Sequence, residues 1–118
     1  MPKVLFVLND PPYGSERSYN ALRLVLNLLK QEPRPEIHIF LVGDAASCAK
    51  AGQETAEGFY NIERMLRGAA AKGAVVGVCG TCMDARGIAQ SELVQGTRRS
   101  SLDEMTTWTL WAEKVLVF

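Results

Sequence analysis

The densest group of chemically capable side chains is the run Cys79-Gly80-Thr81-Cys82-Met83-Asp84-Ala85-Arg86-Gly87. Cys79 closes the apolar stretch Val75-Val76-Gly77-Val78, which places it at the carboxyl end of a buried parallel strand, where open α/β sheets hold their ligand crevices. The Gly80-Thr81 turn is expected to start a helical turn. Its free backbone N–H groups, together with Arg86, would favour a thiolate, the species that attacks sulfur. Burial as a small hydrophobe is the commoner fate of a free cysteine, and the strand-end address weighs against it. Cys82, three residues on, completes a CxxC. Such a pair can close to a disulfide, supply half of a metal site, or set a resolving thiol beside a sulfur-carrying one, and spacing alone does not choose. A thioredoxin-like pair would open a long helix, whereas Met83 to Gly96 contains Gly87 and Gly96 and has no helical periodicity.

Other candidates are weaker. The first apolar run ends in Asn9-Asp10-Pro11-Pro12-Tyr13-Gly14-Ser15-Glu16, and we expect Tyr13, Gly14 and Ser15 to reach the sheet edge that carries Cys79 and to hold an anion or oxidised sulfur by backbone donors. The competing reading is a turn that caps a helix. Cys48 joins the site only if the long segment Gly43 to Gly58 folds over the crevice as a lid; otherwise that segment is a surface excursion with a helical turn at Ala45 to Ala51. His38 lies inside an apolar run and reads as structural. Zinc needs four ligands, and beyond the CxxC only Cys48 and His38 remain, so no metal site is expected. GxGxxG and GxxxxGK[ST] are absent, so no nucleotide cofactor is indicated. One histidine in a strand supports no Ser-His-Asp triad, and Asp103 and Glu104 read as complements to a helix dipole. Sulfur is left as the reactive atom.

The elements that position these residues follow from hydrophobic pattern. Lys3 to Leu8, Ile37 to Val42, Ala74 to Cys79 and Lys114 to Phe118 are apolar runs without polar alternation, as in strands covered on both faces. Between them, Leu22, Val25, Leu26 and Leu29, and again Ile62, Met65, Leu66 and Ala69, follow helical spacing. Helix starts are marked by Ser15-Glu16, by Asn61 and by the capping-box pattern Ser101-Leu102-Asp103-Glu104; Pro33, Pro35, Gly68 and Gly73 mark ends. Strand and helix alternate, which predicts an α/β layered domain with a parallel sheet. A short edge strand is expected near Val94 to Arg98. Ala21, Leu24 and Leu28 form a second apolar stripe on the first helix, and Trp108 and Trp111 lie one turn apart on the last; both features point to self-association.

The chain has 118 residues, 13 Lys and Arg against 13 Asp and Glu, three cysteines and one histidine. That length suits one domain, residues 1–118, burying roughly two thirds of its unfolded surface. Zero net charge argues against direct nucleic-acid binding, which depends on a surplus of cations. No apolar run approaches the roughly 20 residues that cross a bilayer. The five-residue run after Met1-Pro2-Lys3 is too short for a signal-peptide core, so a cytoplasmic location with reduced thiols is expected, and an odd cysteine count forms no complete disulfide framework.

Several segments together resemble the DsrE/DsrF-like family, in particular its small stand-alone YchN-type branch. They are Pro12-Tyr13-Gly14-Ser15-Glu16, Gly58-Phe59-Tyr60-Asn61-Ile62, the Cys79 to Gly87 run, Trp108-Thr109-Leu110 and Lys114-Val115-Leu116, spanning essentially the whole chain. The resemblance implies a three-layer α/β/α domain with a mostly parallel central sheet, assembled as a cytoplasmic homotrimer or homohexamer. It also implies sulfur relay, as carrier or sulfurtransferase, between persulfide donor and acceptor proteins: Cys79 matches the accepting cysteine and Arg86 the arginine after it. Cys82 departs from the relay subunits. Its presence keeps open a dithiol oxidoreductase or redox sensor, and a non-catalytic oligomeric binding protein for a small ligand is a third reading.

Overall fold

The computed structural model describes all residues 1–118. Five strands, β1 (Lys3–Leu8), β2 (Glu36–Leu41), β3 (Val75–Cys79), β4 (Thr97–Ser100) and β5 (Lys114–Val117), form one sheet in the order β4-β3-β2-β1-β5. Every pairing is parallel. The helices are α1 (Arg17–Leu28), α2 (Ile62–Ala71), the short α3 (Gly80–Ala85) and α4 (Leu102–Trp111), with 3₁₀ turns at Gly43–Ala49 and Gln90–Glu92.

The period of two along each strand divides the core between the faces. Val4, Phe6 and Leu8 of β1 and Ile37, Ile39 and Leu41 of β2 join Leu22 and Val25 of α1 and Ile62 and Leu66 of α2 in the main cluster. On the opposite face Leu5, Val7 and Phe40 meet Trp108 of α4. Helices on both faces are why β1 and β2 read as unbroken apolar runs. Phe6 and Phe40 are almost fully buried, and each large apolar side chain so placed contributes about 1.5–3 kcal/mol. Gly77 is where β3 and α4 approach too closely for a side chain: a Cβ there would sit 2.9 Å from the Trp108 ring and 3.0 Å from Ser100 Cβ.

Local signals are partly borne out. Asn61 caps α2 by accepting from Arg64 N–H at 2.9 Å. Ser101 caps α4 by accepting from Glu104 N–H at 3.2 Å, but the Glu104 carboxylate does not reach back; it accepts from Arg98 and Ser100 instead. Ser15 sits one residue before the cap position, Glu16: its hydroxyl donates to Asp10 Oδ2 at 2.7 Å and accepts from Arg17 N–H, the first of α1, at a long 3.4 Å. The edge strand lies at Thr97–Ser100, later than expected.

The second stripe on α1 is only partly real, since Ala21 lies in the core and Leu24 is exposed. Trp108 is 6% exposed, and Trp111 stacks on His38 with ring centroids 3.9 Å apart. The indoles are therefore largely accommodated within one chain. The large apolar side chains left exposed include Leu102 and Leu110 of α4 and Val115 and Val117 of β5. No helix is long and apolar enough to cross a membrane.

Candidate functional site

Cys79 is the last residue of β3 and the cap position of α3. Its side chain is half-buried and lines an open cleft of about 430 Å³ with Gly80, Thr81, Arg99, Ser100, Ser101 and Leu102. Parallel register builds this cleft: β4 pairs with β3 so that Arg99 lies opposite Val78 and Ser100 opposite Cys79. The chain then turns into α4 at Ser101 and closes the far wall.

The two thiols of the CxxC are unequal. Burial opposes ionisation of Cys79, but the Cys82 and Thr81 side chains and the backbone N–H groups of both residues outweigh it and hold the thiol below its ordinary range. Cys79 Sγ lies 3.4 Å from Thr81 Oγ1. Burial, and donation to the Cys79 sulfur, push Cys82 the other way, against weaker help from Gly43 N–H and Arg86. Gly43 N–H donates to Cys82 Sγ at 3.1 Å. One thiol whose ionisation is favoured thus lies beside one whose ionisation is opposed.

Arg86 does not serve Cys79. It lies four residues after Cys82, one turn along α3, where its Nη2 donates to Asp44 Oδ1 at 2.6 Å and its Nη1 to the Cys82 carbonyl at 3.0 Å. The cation of the cleft is Arg99. Its guanidinium packs against Gly80, where a Cβ would come within 2.8 Å of Nε and Cζ, and it makes a two-pronged ion pair with Asp84 at 2.8 and 3.0 Å. Asp84 raises the Arg99 pKa, with a smaller contribution from Cys79. Sequence reading missed Arg99 because β4 is short and polar. The signal was a basic pair, Arg98-Arg99, one strand from the reactive cysteine, and it becomes informative only once the register is known.

The remaining candidates lie elsewhere. Tyr13, Gly14 and Ser15 follow β1, which β2 separates from β3, a lateral offset of about 10 Å at two strand spacings. The Tyr13 hydroxyl donates to Gln53 Oε1 at 2.7 Å and accepts from Ile62 N–H at 3.1 Å. None of the three lines the Cys79 cleft. Cys48 is fully buried in the 3₁₀ turn after β2, its Sγ 3.6 Å from the Asp10 carbonyl and 3.7 Å from Ser18 Oγ. Burial pushes its pKa from 9.0 to about 12, so it is a core thiol and not a lid residue. The segment Gly43 to Gly58 is no lid: its first half packs Ala45, Ala46 and Ala49 into the core, and Ala51 N–H donates to the Glu92 carbonyl at 2.8 Å. His38 packs between Trp108 and Trp111 as a structural ring, but without the hydrogen bond expected of a structural histidine: its buried Nδ1 has no partner.

Comparison with known proteins agrees with this architecture. The chain is 42% identical to the protein YchN of Escherichia coli K12 over 118 residues, all of both chains. It is 33% identical to an uncharacterized protein of Methanocaldococcus jannaschii, over 98% of this chain and 99% of that one. The crystal structure of the E. coli YchN protein superposes over 100% of both chains with a TM-score of 0.94 at 42% identity. A protein of unknown function from Methanobacterium thermoautotrophicum has the same fold, with TM-score 0.81 over 100% of both chains at 13% identity. The DsrE/DsrF-like family model matches residues 2–118, and a five-stranded parallel sheet ending in Cys79, matched over its full length in sequence and in fold, makes this chain a member of the DsrE/DsrF-like family.

Proposed function

We propose that this protein relays sulfur, with Cys79 as the residue that accepts it. The observation that carries the proposal is the asymmetry of the CxxC: the thiol favoured as thiolate is the one that lines the open cleft. In the first step the Cys79 thiolate attacks the outer sulfur of a donor persulfide R–S–SH. A Cys79–S–S bond forms, the donor S–S bond breaks, and R–S⁻ leaves. An acceptor thiolate then attacks the outer sulfur of Cys79–S–SH and regenerates the Cys79 thiolate. Thiolate fraction, leaving-group pKa and access govern both steps. Arg99, held by Asp84, supplies positive charge beside the anionic sulfur; Arg86 orders the Cys82 side of α3.

A dithiol oxidoreductase is the second reading, favoured by the side-chain hydrogen bond between Cys82 and Cys79. If Cys82 attacks the inner sulfur of Cys79–S–S⁻, a Cys79–Cys82 disulfide forms, the persulfide bond breaks and HS⁻ leaves with the Cys82 proton. Mass spectrometry after exposure to a low-molecular-weight persulfide separates the two. One added sulfur on Cys79, absent in Cys79→Ser, supports relay; loss of two protons across the pair with released sulfide supports the reductase; an unmodified chain refutes both.

We further propose that the working form is a cytoplasmic homotrimer or homohexamer. Leu110 is 83% exposed and Val117 67%, and apolar surface of this kind is usually covered by a partner. Leu102, also exposed, lines the Cys79 cleft, so an assembly that covered Leu102 would border the site. Sedimentation showing only monomer at micromolar concentration overturns this part.

A further inference from the structure

A second cavity, sharing no lining residue with the Cys79 cleft, opens beside α1 and the start of α2. Tyr13, Glu16, Thr55, Ala56, Phe59 and Tyr60 enclose about 460 Å³, within the range of small-molecule sites. Its aromatic wall is held in place. The Tyr13 hydroxyl is tied to Gln53 and to Ile62 N–H. Tyr60 stacks on Tyr19 with centroids 4.0 Å apart and lies 5.8 Å from Tyr13. Phe59, next to this fixed pair, is 71% exposed.

The one charged side chain that lines the cavity is a carboxylate. The Glu16 carboxylate lines it and takes part in none of the ion pairs, and the exposed Glu54 and Glu57, which flank Thr55 and Ala56, are equally free of cationic partners. Arg17 is turned toward Asp10 instead, at 3.9 Å. The same aromatic stack already takes a cation at its other member, where Arg23 lies 5.4 Å from the centre of the Tyr19 ring. Aromatic faces carry negative potential, and they attract cations most strongly when the cation is large, weakly hydrated and held by several rings. Anions are repelled by the three carboxylates, and a purely apolar ligand would leave them unused.

We propose that this cavity binds a small organic cation of the alkylammonium class, with its alkylated nitrogen against Tyr13, Phe59 and Tyr60 and with Glu16 as counter-charge. The site is independent of the sulfur chemistry at Cys79 and stands or falls without it.

The test is an NMR titration of the ¹⁵N-labelled protein with choline and, in parallel, with its neutral isostere 3,3-dimethyl-1-butanol. Choline should shift the amides of Gly14, Gly58, Phe59 and Tyr60 saturably and leave Thr81 and Cys82 unmoved, while the alcohol should not saturate. Phe59→Ala, a change at an exposed side chain, should weaken choline roughly two- to five-fold, the range of a cation–π contact at a solvent-exposed ring. Glu16→Gln should weaken it similarly, and more at low salt than at high. Equal binding of the alcohol, no saturation at tens of millimolar choline, or affinity unchanged in both variants overturns the proposal.

Discussion

Cys48 offers the sharpest quantitative test, because its burial decides which of the three thiols can react. Its pKa rises from 9.0 to about 12, chiefly through burial, with the Asp10 charge adding and the Ser18 hydroxyl opposing. The native state therefore keeps the thiol proton at pH values where the unfolded chain releases it. The stabilisation is complete below pH 9 and is lost as pH rises from 9 toward about 12. Each pKa unit is worth about 1.4 kcal/mol, so by pH 10 the unfolded state gains on the order of 1 kcal/mol from this thiol, and over the whole interval a few kcal/mol. Urea unfolding at pH 7 and pH 10 reads this directly. Cys48→Ala should be less stable than the parent at pH 7 by about 1 kcal/mol, yet should lose less than the parent on going to pH 10, by on the order of 1 kcal/mol. Subtracting the two proteins removes the lysine and tyrosine titrations they share. The same burial should slow alkylation at pH 8 by about a thousand-fold through the thiolate fraction alone, before access is counted. Equal alkaline losses in the two proteins, or labelling of Cys48 in step with Cys79, would refute the placement of this thiol in the core.

Other consequences can be checked alongside. Gly80→Ala places a Cβ within 2.8 Å of the Arg99 guanidinium, a flexible group that can swing away from Asp84; Cys79 alkylation at neutral pH should slow a few-fold as the cation leaves the cleft, and Arg99→Ala should mimic it without adding to it. Gly77→Ala meets the buried Trp108 ring and Ser100 Cβ instead, and should lower stability by about 1–3 kcal/mol in denaturant melts. His38 is held below 6.5 by burial, with Glu36 and Glu104 opposing and Arg98 adding. Its stabilising effect is present above pH 6.5 and falls away as pH drops through the lowered native value. Both tryptophans touch this ring, so their fluorescence should change with a midpoint below 6.5, and a curve unaltered in His38→Phe would show that another group is being read.

Legibility differed between elements for identifiable reasons. β1, β2 and β3 are plain in the sequence because strands covered on both faces have few polar positions to confuse the pattern, and α2 is plain because Asn61 caps it where a cap residue is expected. β4 was misplaced because Thr97–Ser100 is an edge strand of polar residues whose identity as a strand comes from pairing with β3. Cys79 was legible as the strand-end thiol. Tyr13, Gly14 and Ser15 were assigned to its site on the assumption that strand ends share one crevice, which does not allow for strand order.

The sequence by itself determined the alternation of strands and helices, the single domain and the cysteine that ends β3, because these depend on local pattern and on hydrophobic period. Only the tertiary structure decided what surrounds that cysteine. Strand order set β2 between the Tyr13 loop and Cys79, and parallel register brought Arg99 to the cleft while helical rotation carried Arg86 to Cys82. Packing withdrew Cys48 from solvent. Each of these depends on contacts between residues far apart in the chain, which spacing along the sequence does not encode.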